Sequence, residues 1–283
     1  EGLLGADVVG FQTKAAAQNF IELSQRYSGA ARIPRAPNTL ETAGRRVRAD
    51  AFPISIDFEK YERGSSVEGI DERIAEMRQR LGPDRRVILG VDRLDYTKGI
   101  EHRMRAFAEL LDSGRVTNDE CVLVQTAVPS REGVQEYADL RSRIDELVGS
   151  INGAHGRVGT VPIHYMRKNF VFDELAALYK MADVLLVTPL RDGMNLVCKE
   201  YVAARRDETG VLVLSEFTGA ADELDHALLV NPHDIDATAT TIYQALHMPP
   251  EEQKRRMHAM REHVRRNNVF RWAERFLDTL TAS

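Results

Sequence analysis

Short apolar, β-branched runs alternate with amphipathic segments along the whole 283-residue chain. No other feature constrains the fold as strongly. Strands covered on both faces read as apolar runs, and the helices that connect them in parallel read as one-sided stripes. Strands are expected at Ala6–Phe11, Arg45–Ile54, Arg86–Val91, Cys121–Ala127, Val161–Tyr165, Asp183–Thr188, Val211–Leu214 and Ala227–Val230. Helical stripes recur at Ala16, Phe20, Leu23 and Tyr27, at Ile70, Ile74, Met77 and Leu81, and at Ile100, Met104, Phe107 and Leu111. Each stripe is one apolar face and reads as core packing. The expectation is an α/β fold with a Rossmann-like parallel sheet and helices on both faces. Residues 28–44 and 57–66 are rich in Gly, Pro, Ser and charge, so they read as loops, with a domain boundary near residue 57. At about 150 residues per domain, the length fits one large or two ordinary domains.

Composition excludes several function classes. Lys plus Arg number 38 against 43 Asp plus Glu, and this net negative charge disfavours binding to a phosphate backbone. The arginine-rich stretch Glu251–Arg275 is interleaved with acids. Its Met257, Met260 and Val264, followed by Trp272, Phe276 and Leu280, keep helical spacing, so it reads as solvated helices with packed inner faces. No apolar run approaches the roughly 18 residues needed to cross a bilayer. The two cysteines, Cys121 and Cys198, build neither a disulfide framework nor a zinc cluster, and both read as small buried hydrophobes. A reducing compartment, the cytoplasm, is expected. The histidines show no metal-ligand spacing, and no metal or other cofactor is expected.

Two segments carry chemistry. Val87–Gly99 (VILGVDRLDYTKG) reads as a strand, a turn holding Arg93 and Lys98, and a helix start. In an open α/β sheet, ligands bind beyond the carboxyl ends of the strands, where these cations would meet a diphosphate. Arg grips such a group bidentately and Lys supplies compact charge. Taken alone, the segment serves equally well as a solvated loop. The second segment, Thr188–Glu200 (TPLRDGMNLVCKE), follows the apolar run Val184–Val187. Gly193 permits a tight turn, and the amides of Met194, Asn195 and Leu196 fall at a helix N-terminus, which receives anions and hydroxyl oxygens. Asp192 and Glu200, with seven residues between them, bracket the turn, and Glu200 is expected about two turns into the helix. Two carboxylates around such a turn suit a polyol, since each accepts hydrogen bonds from two hydroxyls. Singly, a helix N-cap and a surface glutamate would account for them.

In order along the chain, DRLDYTKG (92–99), Pro129-Ser130-Arg131, TPLRDGMNLV (188–197) with KEYVA (199–203), and LSEFTGAA (214–221) closely resemble the trehalose-6-phosphate synthase family. The match covers nearly all of the chain. The resemblance implies the GT-B fold, two Rossmann-like domains facing across a cleft with the nucleotide-sugar donor held mainly by the C-terminal one. Residues 1–57 then correspond to the tail of the N-terminal, acceptor-side domain. Residues 58–283 correspond to the donor domain, its last helices crossing back to the N-terminal domain. The family's glycine-rich loop and acceptor-binding residues precede anything present here, so this chain alone is expected to be inactive in transfer. Residue by residue, the resemblance assigns Arg93 and Lys98 to the donor diphosphate and Arg131 to the acceptor phosphate or the wall near it. Asp192 goes to the glucose hydroxyls, and the amides of Gly193, Met194, Asn195 and Leu196 go to glucose and phosphate oxygens. Glu200 goes to the ribose hydroxyls, and Phe170 and Val171 lie by the base.

The implied reaction moves glucose from UDP-glucose to glucose 6-phosphate with retention, giving α,α-trehalose 6-phosphate and UDP. The resemblance implies front-face attack, not a covalent intermediate on a carboxylate, with the leaving diphosphate helping to deprotonate the acceptor hydroxyl. The implied partners are a nucleotide sugar and a sugar phosphate. A relative with another donor or acceptor shares these features, for instance a pseudo-glycosyltransferase or a glucosylglycerol-phosphate synthase. So does a non-catalytic nucleotide-sugar-binding regulatory subunit. The choice of UDP, ADP or GDP and the oligomeric state, a homo-oligomer included, stay open.

Overall fold

The computed structural model describes residues 2–130 and 133–282. It divides into two compact units, one holding the residues up to Asp57 together with those from Arg266 on, the other Phe58–Arg265.

In the first unit, strand β1 (Val8–Phe11) is followed by helix α1 (Lys14–Ser28) and strands β2 (Ala31–Ile33), β3 (Ala36–Thr42) and β4 (Arg45–Ala51). The sheet order is β1-β4-β3-β2, with β1 parallel to β4 and the other pairs antiparallel. Val9, Leu40, Val47, Ala49 and Ile21 form its core. Two expectations fail here. Residues 28–44 are not loop but β2 and β3, joined to β4 through Ala43 and Gly44, both at positive φ as a tight hairpin turn requires. Only Leu40 of β3 is buried, and the strand contains Pro37 and Asn38, so no alternation advertises it. In α1 the buried residues are Ala17, Ile21 and Ser24, whereas Leu23 and Tyr27 are 55% and 72% exposed. The apolar arc of this helix is wide, and small Ala17 and Ser24 allow closer approach to the sheet than the expected stripe would.

The second unit opens with helix α2 (Phe58–Gly64), where a loop was expected. Its charged sequence hides an inward face of Phe58, Tyr61 and Gly64. Its Glu62 is held by Arg261 and Arg265. Next come α3 (Ile70–Leu81), β5 (Arg86–Arg93), α4 (Ile100–Asp112), β6 (Cys121–Val128), α5 (Gln135–His155), β7 (Ile163–Met166) and α6 (Phe172–Met181). The chain continues through β8 (Val184–Val187), α7 (Val197–Ala204), β9 (Val211–Ser215), β10 (Leu228–Val230), α8 (Ile235–Leu246) and α9 (Pro250–Arg266). All eight expected strands are present in the two units, within a few residues of their expected ends.

The sheet of the second unit is entirely parallel, in the order β10-β9-β8-β5-β6-β7. From β5 the chain steps outward through β6 and β7, then returns to place β8 on the other side of β5 and continues outward to β10. Strand order therefore reverses between β5 and β8, the place where open α/β sheets bind ligands, in a crevice beyond the carboxyl ends of the strands. Ile88, Leu123, Leu186 and Val213 of the sheet pack with Met104, Phe107 and Leu110 of α4 and Ile242 and Leu246 of α8. Each such side chain contributes about 1.5–3 kcal/mol on burial.

Helix α9 buries Met257, Met260 and Val264, as the spacing predicts. Arg261, expected on a solvated face, is instead buried and donates to the carbonyls of Val202 and Ala203. Helix α10 (Val269–Thr281) belongs to the first unit, where the Trp272 indole donates to the Phe52 carbonyl at 3.0 Å and Phe276 packs edge-on against Phe52. Leu280, expected on its packed face, is exposed. Among the described residues, no helix is long and apolar enough to cross a membrane.

Candidate functional site

The two segments that carry chemistry flank the reversal point. Strand β5 ends on Arg93, which is exposed and pairs with no carboxylate among the described residues. The chain then passes through a 3-10 turn, Tyr96–Lys98, capped by Asp95, which accepts from both the amide and the hydroxyl of Thr97. After β8, residues 188–196 run alongside. The Leu190 amide donates to the Thr97 carbonyl at 2.7 Å, and the Lys98 ammonium donates to Asp192 Oδ2 at 2.6 Å. Gly99 makes this approach feasible. It adopts φ +63°, and a Cβ there would overlap the Thr188 carbonyl oxygen. Burial pushes the Asp95 carboxyl up, but Thr97, the Tyr137 hydroxyl and the nearby Lys98 ammonium outweigh it and hold it below the usual carboxylate range.

Asp192 is fixed from several sides. Its amide donates to the Phe217 carbonyl, its own carbonyl accepts from Gly219, and its carboxylate accepts from Asn195 Nδ2 at 3.2 Å and, at 3.4 Å, from the Met194 amide. Asn195 stands at φ +82° and turns its Oδ1 onto the Cys198 amide, capping α7. The amides of Asn195 and Leu196 have no acceptor among the described residues. Gly193 is exposed, whereas the Met194 side chain is core.

Helix α7 begins at Val197, so Glu200 lies in its first turn and not two turns in. The 188–196 segment stays non-helical, with Asn195 at positive φ, and delays the start of α7 to Val197. Glu200 is half-buried and both of its carboxylate oxygens accept tyrosine hydroxyls, Tyr61 at 2.9 Å and Tyr179 at 2.7 Å. Phe170 and Val171 lie between β7 and α6, Phe170 beneath the Lys168 ammonium and Val171 exposed at the start of α6. Arg131 lies outside the described residues.

Beneath the crevice is a polar network that sequence reasoning missed. Arg103 of α4 is fully buried and donates to Asp92 at 2.6 Å, Gln125 at 2.8 Å and Thr188 at 3.0 Å. It thereby ties together the carboxyl ends of β5, β6 and β8. Gly90 leaves the space it needs, since a Cβ there would overlap Gln125 Oε1 and Arg103 Nη1. The signal was present, because Arg103 sits three residues after Ile100 on the inward face of α4, where a charge demands a buried partner. A second ion pair, buried Lys199 with half-buried Glu223 at 2.5 Å, anchors α7 to the turn after β9. Cys121 and Cys198 are buried, as expected, and burial pushes both thiols up to about 12.

A doubly wound parallel sheet with cations, a carboxylate and a helix N-terminus at its reversal point defines a Rossmann-like α/β fold, here of the GT-B type. The chain belongs to glycosyltransferase family 20, whose profile matches residues 1–282. It is 50% identical over 286 residues to a trehalose-6-phosphate synthase from Mycobacterium leprae, covering 99% of this chain and 57% of that protein. It is likewise 50% identical to the synthase of Mycolicibacterium smegmatis, covering all of this chain and 58% of the relative. Among solved structures, a UDP-forming α,α-trehalose-phosphate synthase from Burkholderia xenovorans in complex with glucose 6-phosphate superposes with a TM-score of 0.92 at 39% identity. That superposition covers 97% of this chain and 61% of the other. A trehalose-6-phosphate structure from E. coli bound with UDP-2-fluoro glucose gives 0.91 at 35% identity, covering 97% and 60%. The chain thus spans about three-fifths of the length of these relatives.

Proposed function

We propose that this chain supplies the donor-binding side of a retaining glucosyltransferase that moves glucose from UDP-glucose to glucose 6-phosphate, forming α,α-trehalose 6-phosphate and UDP. The observation that carries the reading is the contact of Lys98 with Asp192 at 2.6 Å across the reversal point. It brings a cation for the leaving group and a carboxylate for the sugar to one place. The names of the relatives, and the glucose 6-phosphate and UDP-2-fluoro glucose found in the neighbouring structures, support it.

In this reading the acceptor hydroxyl forms its bond to the anomeric carbon on the face from which the diphosphate departs. The carbon–oxygen bond to the diphosphate breaks, and the hydroxyl proton passes to a departing phosphate oxygen. Arg93 and Lys98 stabilise the charge that builds on the diphosphate. An ammonium has three donors, so the one given to Asp192 leaves two for phosphate oxygens. Asp192 orients glucose hydroxyls without attacking, the amides after Gly193 receive oxygens at the start of α7, and Glu200 takes the ribose hydroxyls. Phe170 and Val171 flank the base. Arg131 serves the acceptor phosphate. The two cations do the work a metal ion does elsewhere, so no metal is required. Acceptor contacts other than Arg131 are assigned to the part of the relatives' length that this chain does not span.

Product analysis tests the proposal. This chain alone should bind UDP and transfer little glucose, whereas joined to an acceptor-side region it should form trehalose 6-phosphate from UDP-glucose and glucose 6-phosphate. A preference for ADP- or GDP-glucose, a different acceptor, or nucleotide binding without turnover in the joined form would each refute it.

A further inference from the structure

Glu200 is the only proposed donor contact whose two carboxylate oxygens are each held by a tyrosine hydroxyl. Tyr179 of α6 is completely buried, and its hydroxyl donates to Glu200 Oε2 at 2.7 Å. Burial and the Glu200 carboxylate hold that phenol well above its ordinary value, so it stays a donor throughout the neutral range. Tyr61 of α2 donates to Oε1 at 2.9 Å. Both rings are themselves fixed. Tyr179 packs edge-on against buried Tyr201, and Tyr61 packs edge-on against Phe172 at 5.3 Å between centroids. Phe172 in turn presses on Gly64, where a Cβ would come within 2.5 Å of its ring, so α2 must lie close for Tyr61 to reach.

We infer that Tyr61 and Tyr179 are positioning residues that set the ribose selectivity of the donor site by locking the Glu200 carboxylate. The inference rests on the proposed role of Glu200. A carboxylate offers about four lone-pair sites, two on each oxygen. One tyrosine hydroxyl on each oxygen fixes the plane of the group and leaves one site per oxygen, which matches the two vicinal hydroxyls of a ribose. Held in this way, the carboxylate does not have to be ordered when the nucleoside binds.

The test is calorimetric titration of the full chain with UDP and with 2′,3′-dideoxyuridine diphosphate, for the wild type and for Tyr61→Phe, Tyr179→Phe and Glu200→Gln. Ordering one side chain on binding costs about 0.5–1.5 kcal/mol, so each Tyr→Phe change should weaken UDP about two- to tenfold and leave the dideoxy analogue unchanged. Glu200→Gln should remove most of the preference for UDP over the analogue. Equal weakening of both ligands by the tyrosine variants would mean a merely structural role and overturn the inference, as would no weakening of either. A preference that survives Glu200→Gln would instead overturn the assignment of Glu200 to the ribose, and the inference with it. Tyr61 is only partly buried, so its variant keeps the test valid should Tyr179→Phe fail to fold.

Discussion

Replacing Arg103 with Met tests whether the network beneath the crevice holds β5 and β8 together. In the Arg103–Asp92 pair the side chains are 0% and 3% exposed, and the guanidinium also serves Gln125 and Thr188. Methionine fills much of the volume but leaves the Asp92 carboxylate buried and unpaired. Breaking a buried pair from one side costs about 3–5 kcal/mol. For a unit of this size each kcal/mol moves Tm by about 2–4 °C, so Tm should fall by about 6–20 °C. Adding Asp92→Asn removes the orphaned charge and should restore about half of the loss, a coupling of about 2 kcal/mol. The assay is thermal unfolding followed by circular dichroism, with UDP titration well below the transition. Loss of the tie should also weaken UDP binding, because Lys98 and Asp192 sit on loops that leave β5 and β8. A Tm drop below about 3 °C, or losses that simply add in the double variant, would refute the reasoning.

In the form joined to an acceptor-side region, Arg93→Ala or Lys98→Ala should lower transfer by about a hundredfold or more, since one donor to a developing anion is worth about 3 kcal/mol, and Arg93→Ala should leave Tm unchanged; steady-state kinetics and melting curves check both. Asp192→Asn in the joined form should reduce glucose transfer far more than UDP affinity, as read by kinetics against calorimetry. Gly99→Ala should lower both Tm and UDP affinity, because its Cβ would push the Thr188 carbonyl away and part the two loops. Burial raises the Glu223 carboxyl, but the His263 hydrogen bond and the Lys199 charge outweigh it and leave it below its ordinary 4.5. A depressed acid stabilises above that value and loses its contribution as pH falls, so the Tm gap between wild type and Glu223→Gln should shrink below pH 4.5. With both thiols pushed up to about 12, neither cysteine should react with Ellman's reagent at about pH 8 until the chain is unfolded.

The parallel sheet was legible because its central strands are buried on both faces and therefore apolar, as in Val184–Val187 and Val211–Ser215. Strands β2 and β3 were hidden because only one residue of β3 reaches the core, and pairing with β4 holds the rest. Helix α2 was hidden because its charges are satisfied by tertiary partners on α9 that local composition does not reveal. Arg93, Lys98, Asp192 and Glu200 stood out as chemistry at turns after strands. Tyr61 and Tyr179 did not, since a tyrosine in a helix looks like packing until its hydroxyl partner is known. Arg103 was concealed by its neighbours Ile100, Met104 and Phe107, which complete the apolar stripe without it.

The most direct measurement is a crystal structure of the chain with UDP-glucose bound. The account predicts diphosphate oxygens within hydrogen-bond reach of Arg93 and Lys98, glucose hydroxyls on Asp192, and ribose hydroxyls on the Glu200 oxygens between Tyr61 and Tyr179. A donor bound with its diphosphate away from both cations would contradict it.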